Sequence, residues 1–259
     1  GAARIRQRAD ALGEARSLAQ ESVELLREAD DMPSTSYAAA LAYLGHLDME
    51  RGEMAPANVE LAEALSIATD APLDDPQAFE AILSAAWAAG SDWQRVRELF
   101  ELALPRALAT GSVNGEIEVR SGLGRTLGNL GLMDEGEAEI RKALAIAEDV
   151  YGPDHPRLTL PLSDLGHMLS TLGRNDEAVA AHQRAVRIAV SSYGPDSQKV
   201  LEHRNNLAIA LAGTGRTEEA IAELETLVTL WELNEGPESL STGEAHQNLA
   251  VQQIVAGRL

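Results

Sequence analysis

Leu123-Gly124, Leu165-Gly166, Leu207-Ala208 and Leu249-Ala250 follow one another at intervals of 42 residues. Gly131, Gly173, Gly215 and Gly257 keep the same interval. So do Gly152-Pro153-Asp154, Gly194-Pro195-Asp196 and Gly236-Pro237-Glu238. A fixed period of roughly 20–50 residues marks a stack of supersecondary units. Such units bury their apolar faces against one another, so the chain needs no single closed core.

The regular array begins near Gly115. The spacing predicts first helices over Glu116–Leu130, Leu158–Leu172, Lys199–Thr214 and Thr242–Ala256. Second helices are predicted over Asp134–Val150, Asp176–Ser192 and Glu218–Leu233. Gly131, Gly173 and Gly215 stand between partners, where a left-handed residue ends one helix and reverses the chain. Asp134, Asp176 and Glu218 place negative charge in the first turn of the second helix, complementing its dipole. The Tyr-Gly-Pro-Asp segments at Tyr151 and Tyr193 stop the second helices, and both tyrosines are expected to pack into the junction between repeats.

The front of the chain is a divergent version of the same pattern. A helix is expected from Ala11 to Ala29, followed by Pro33, with Ser34 or Ser36 capping the next one. Helices follow over Thr35–Arg51 and Ala55–Ala68, with Gly45 and Gly52 spaced as Gly124 and Gly131 are. Pro72, Pro76 and the acids Asp74 and Asp75 mark a connection. A further pair is predicted over Gln77–Ala89 and Trp93–Thr110. Pro105 is expected to kink or end the second of these, because proline inside a helix costs on the order of 3 kcal/mol. Residues 1–110 are thus a divergent section and 111–259 a regular one, cut after the first helix of its last repeat. The opening Gly1-Ala2-Ala3-Arg4 and the stop at Gly257-Arg258-Leu259 are read as the ends of a piece excised from a longer protein.

Ala and Leu fill the apolar positions, while aromatic residues make up only 3% of the chain. Helices packed closely on small residues have this composition. Gly124, Gly166, Ala208, Ala143, Ala178, Ala185 and Ala220 are expected at those close approaches. A Gly166→Leu change is expected to overpack its pair by about 1–3 kcal/mol. The formal charge is −20, a field that disfavours nucleic acid and anionic lipid and favours neutral or basic partners. There is no cysteine, which excludes disulfides, Cys-based zinc sites and thiol nucleophiles. No apolar run approaches the ~20 residues of a membrane span. A cytoplasmic location is the expectation.

Leu-Gly at the seventh and eighth positions, a turn glycine and an alanine five residues later resemble tetratricopeptide repeats. The 42-residue period, Asn205-Asn206-Leu207-Ala208 and Tyr151-Gly152-Pro153-Asp154-His155-Pro156 resemble the longer repeats of kinesin light chain. An alanine-rich front followed by regular repeats is also similar to the C-terminal region of large bacterial serine/threonine kinases of the myxobacterial type. The resemblance implies an all-α, right-handed superhelical solenoid of antiparallel helix hairpins. It further implies a protein-interaction scaffold within a bacterial signalling protein. Any kinase domain would lie outside this chain, since none of the kinase-core motifs is present.

The residues offer no catalytic set, and no enzyme activity, cofactor or metal is expected. No two of the six histidines are four residues apart, so no helix presents a ready metal pair. Gly122-Leu123-Gly124 lacks the spacing and the preceding strand of a dinucleotide loop. By resemblance, a groove lined by the first helices binds the ligand. That register points to Arg125, Asn129, Asp164, His167, Asn205, Asn206, Gln247 and Asn248, joined by Glu118, Glu202, Glu244 and Gln252. Trp87, Tyr43 and His46 lie towards the other end. Asn and Gln amides both donate to and accept from a peptide backbone, though Asn205, Asn206 and Asn248 could instead satisfy backbone groups of the array. Repeats that clamp acidic chaperone tails need Lys at fifth and second positions. Here the fifth positions are Ala42, Glu80, Ser121, Ser163 and Asn205. A neutral or basic peptide is therefore expected. Alternatives are a regulatory or oligomerisation domain packing on the parent or on other copies, and a peptide-sensing module of a transcription regulator. Leu249, Ile254 and Val255 are expected to lack a partner helix and to favour self-association through the last helix.

Overall fold

The structure, a computed structural model, describes residues 2–29 and 34–258. Pro33, expected to break the chain after the first helix, and the terminal Gly1 and Leu259 lie outside the described residues. Among those described there are twelve α-helices and no strand, and the architecture is an all-α solenoid of antiparallel hairpins. The helices fall into two compact units, Ala2–Gly131 and Leu132 onward.

The N-terminal unit holds α1 (Ala2–Ala29), α2 (Thr35–Glu50), α3 (Met54–Asp70), α4 (Pro76–Ala88), α5 (Trp93–Ala109) and α6 (Val113–Asn129). Each helix packs on its chain neighbour, and α2 also packs on α4, which sets the first helices of successive hairpins side by side. Ser34 caps α2 by accepting from the Tyr37 amide, as one of the two expected serines. The other, Ser36, donates to Gln77 Oε1 at 2.8 Å instead. Asp75 caps α4 through the amides of Gln77 and Ala78.

The C-terminal unit holds α7 (Met133–Tyr151), a 3-10 turn at Pro156–Leu158, α8 (Thr159–Thr171), α9 (Asn175–Tyr193), α10 (Gln198–Gly213), α11 (Thr217–Glu235) and α12 (Leu240–Val255). Each helix differs from its expected span by only a few residues, the usual scatter of helix ends. The turn glycines act as predicted. At Gly173, φ is +73°; its amide donates to Ser170 O at 3.0 Å and Arg174 N donates to Leu169 O at 2.8 Å. These bonds satisfy carbonyls that the helix end would otherwise orphan. At Gly52 the corresponding pair runs from its own amide to Met49 O and from Glu53 N to Asp48 O, so the divergent front reverses the chain in the same way as the regular array.

Pro105 does not bring the early end that was one of its two expected effects: α5 runs through it to Ala109. Pro105 and Glu101, whose carbonyl loses its amide donor, are both exposed. Water can take the place of that donor, so the helix continues without leaving a buried carbonyl unsatisfied.

Glycines in the first helices accommodate side chains, and seldom the backbone approach expected of them. A Cβ on Gly166 would lie 2.5 Å from His182 Nε2, and one on Gly122 would lie 2.4 Å from Phe100 Cζ. Gly115 faces Phe79 in the same way, and Gly45 faces Leu61 together with the Ala57 carbonyl. Ala178 is fully buried among Ile140, Leu165, Met168 and Leu169.

Two buried charges tie the N-terminal unit together. Arg106 donates from Nη2 to the carbonyls of Ala68, Thr69 and Ala71 at 3.0, 3.1 and 3.2 Å, closing the C-terminal end of α3. Asp48 on α2 is fully buried and takes both Nε and Nη2 of Arg16 on α1, the latter at 2.9 Å. Glu60 stands near this pair without a cation of its own, and its burial pushes its carboxyl up to about 7.

The tyrosines sit at repeat junctions but remain partly open. Tyr151 stacks on His155 at 4.8 Å, and Lys199 at the start of α10 lies 4.5 Å above the Tyr193 ring. Of the last apolar residues, Leu249 packs against the cluster of Leu201, Leu224 and Leu227, contrary to expectation. It has a partner because α11 covers that side of α12. Ile254 and Val255 point away, 60% and 66% exposed.

Candidate binding face

The repeat places every expected groove residue on a first helix. Arg125 and Asn129 are on α6, in the N-terminal unit. Asp164 and His167 are on α8, Asn205 and Asn206 on α10, and Gln247 and Asn248 on α12. His167, Gln247 and Asn129 are exposed, while Arg125, Asp164, Asn205, Asn206 and Asn248 are half-buried.

In the C-terminal unit the first helices are bridged by Ser163 Oγ and His203 Nδ1, 3.0 Å apart between α8 and α10. Two and three residues further along α10 stand Asn205 and Asn206. Neither amide has a hydrogen-bonding partner among the described residues. Half-buried amides in that state are open to a ligand or to water. Towards the start of α10 a cavity of about 420 Å³ is lined by Thr159, Tyr193, Gln198, Lys199, Glu202 and His203. Burial holds the His203 imidazole below its usual value. It drives His182, which lies behind α8 on α9, down to about 4, with His167 and His203 adding like-charge repulsion. Both rings are therefore neutral at ordinary pH and serve as packing and hydrogen-bonding groups.

In the N-terminal unit the face is aromatic and acidic. Trp87 on α4 donates from Nε1 to Glu118 Oε1 at 2.9 Å and meets Phe100 edge-on at 5.1 Å. The Arg125 guanidinium lies 4.8 Å from the centre of the Trp87 ring, a distance at which the ring quadrupole attracts a cation. Asn129 donates to its own helix, at Arg125 O, 3.0 Å away. Beside this group Tyr43, His46, Glu80, Leu83, Ser84, Trp87 and Glu118 line a cavity of about 180 Å³.

Ser84, Thr159 and Lys199 join these faces without having been named from the sequence, and Glu80 and Ser163 join them after being named only as fifth repeat positions. The repeat register carried a signal for three of them, with Ser84 at a ninth position seven residues after the second-position Gln77. Glu80 and Ser163 occupy the same fifth repeat position as Asn205, and that register lines the face whatever residue fills it. Lys199 had no such signal, since it reaches the face by lying over Tyr193. Among the described residues no group of His, Asp and Glu converges as a metal site, and no helix is long and apolar enough to cross a membrane.

The family model for the tetratricopeptide repeat matches residues 115–191 and 159–232. No curated protein matches the chain. Among solved structures the chain is similar to BtubC (BKLC) from P. vanneervenii, with 20% identity and a TM-score of 0.72 over 87% of this chain and 93% of that one. It is also similar to the nearly identical TPR-like repeats of a candidate kinesin light chain from Podosopora anserina, with 20% identity and a TM-score of 0.64 over 79% and 99%. A Rap protein complexed with competence and sporulation factor shares 16% identity and a TM-score of 0.60 over 98% and 74%. At these identities the likeness shows the fold.

Proposed function

Taking residues 115–232 as tetratricopeptide repeats, we propose that the chain is a non-catalytic module that docks a protein or peptide segment along its first-helix faces. In the C-terminal unit the contacts come from Asn205 and Asn206, flanked by Asp164, His167, Gln247 and Asn248. In the N-terminal unit they come from Arg125 and Asn129. The observation that carries this reading is the pair of half-buried amides on α10 with no partner among the described residues, adjacent side chains suited to bond an extended backbone without selecting one sequence. The Rap protein supports it, since a related scaffold is complexed with a factor. The net charge of −20 favours a neutral or basic segment over nucleic acid or a membrane, and the resemblance to bacterial signalling proteins favours a cytoplasmic signalling context. Sequence flanking the chain would show whether the parent carries a kinase domain.

The test is selection of binders from a peptide library, followed by titration of the selected peptides against the native chain and the Asn205→Ala/Asn206→Ala variant. The variant is expected to bind about tenfold or more weakly at unchanged melting temperature, as lost polar contacts in a binding face require. Equal affinity sinks the assignment of these asparagines.

The apolar side of α12 favours a second reading, self-association. Val251, Ile254 and Val255 are 48%, 60% and 66% exposed along one helix. Light scattering before and after Ile254→Lys/Val255→Lys decides it: a shift from oligomer to monomer supports this role, and a native chain that is already monomeric ends it.

A further inference from the structure

The cavity between α2, α4 and α6 has a chemistry that the asparagine face lacks. Its walls carry two carboxylates, Glu80 and Glu118, and two aromatic rings, Tyr43 and Trp87. Trp87 Nε1 fixes Glu118 through Oε1; among the described residues the other Glu118 oxygen takes no donor, and Glu80 makes no hydrogen bond or ion pair. Arg125 covers the Trp87 ring but does not line the cavity. At about 180 Å³ the space is below the ~300–1,000 Å³ of small-molecule sites, and its size suits one side chain.

We propose that this cavity takes a single cationic side chain, lysine or arginine, of a bound peptide. It rests on the role of the first-helix faces as peptide-binding surfaces, and it adds a specificity pocket in the N-terminal unit. The carboxylates supply the charge and the rings supply a polarisable wall, a combination that recognises ammonium and guanidinium groups. Charge complementarity argues for this occupant. Glu80 is raised above the usual carboxylate range by burial and by its repulsion with Glu118, and a cation between the two relieves that repulsion. An acidic side chain would add a third negative charge. An aliphatic one would cover both carboxylates without supplying a counter-charge.

The probe is the capped peptide Ala-Ala-Lys-Ala-Ala, compared with the same peptide carrying norleucine or glutamate at its centre. The readout is the NMR signal of the Trp87 indole N–H in the full chain, assigned by Trp87→Phe. The lysine peptide is expected to shift that signal saturably, and the norleucine and glutamate peptides are expected to leave it unmoved. Glu118→Gln keeps an acceptor for the indole and so keeps the fold. Combined with Glu80→Gln it should weaken lysine binding about tenfold, the scale of a lost charge-assisted contact. Equal responses to lysine and norleucine, no response to any peptide, or unchanged lysine binding by the double glutamine variant would each overturn the proposal. Asn205→Ala/Asn206→Ala is expected to leave the lysine response intact. Loss of that response in the asparagine variant also counts against the pocket. Failure of the asparagine titration alone overturns only the C-terminal face.

Discussion

Gly166 on α8 lies directly against the imidazole of His182 on α9: an added Cβ would sit 2.5, 2.6 and 2.8 Å from Nε2, Cε1 and Cδ2. The glycine leaves room for a ring on the facing helix. The ring in turn is sealed from water, only 3% exposed.

Gly166→Ala should therefore cost about 1–3 kcal/mol, since the imidazole is packed and must move. Helix propensity alone gives the opposite sign, because Ala exceeds Gly by about 1 kcal/mol in a helix interior. Gly243 on α12, whose Cβ would meet nothing within 4 Å, is the control: Gly243→Ala should stabilise. Urea midpoints of the two variants check the contrast. If Gly166→Ala also stabilises, His182 is not seated as described.

His182 makes the fold sensitive to acid. Its imidazole falls from an ordinary 6.5 to about 4 in the folded state because burial disfavours the cation. Between those values the unfolded chain binds more protons than the folded one. The stability is fully present above 6.5 and is lost as pH falls towards 4. The loss is on the order of 2 kcal/mol. His182→Phe removes the titration and also the Nδ1 that is buried without a partner; the Gly122–Phe100 pair shows that a phenyl ring fits over a helical glycine. Stability curves of native and His182→Phe chains should diverge as pH falls from 7 to 4.5, and parallel curves would refute the assignment.

Arg106 holds the end of α3 by three bonds from a single nitrogen. Arg106→Met keeps much of the buried stem and removes the donors. It should cost about 2–3 kcal/mol, the range for hydrogen bonds involving a charged group plus unsatisfied carbonyls. Hydrogen exchange should also quicken in the last turn of α3. A variant as stable as the native chain would show that water replaces the guanidinium.

The helices, their order and their turns were legible because they depend on local chemistry repeated in phase. Gly173, Gly215 and Gly52 end helices through bonds that reach only five residues back. Asp176 and Glu218 act on the first turn of their own helices. The candidate face was legible as a set of positions for the same reason, since a repeat that stacks must present the same positions to the same side.

Periodicity fixes spacing, so what it left open is which side chain arrives from a distant segment. Pro105 looked like a helix breaker because its neighbours in sequence gave no sign that the Glu101 carbonyl faces water. Arg106 reaches carbonyls 35–38 residues away, and Trp87 finds Glu118 31 residues on. Glycine 166 announced a close approach, yet only the packed helices decided that the group approaching it is the ring of His182. The sequence alone thus determined the repeat, the hairpin and which residues stand on the first helices. The tertiary structure decided the contents of the glycine gaps and the acidic, aromatic character of the N-terminal cavity, because burial and pairing are properties of neighbours in space.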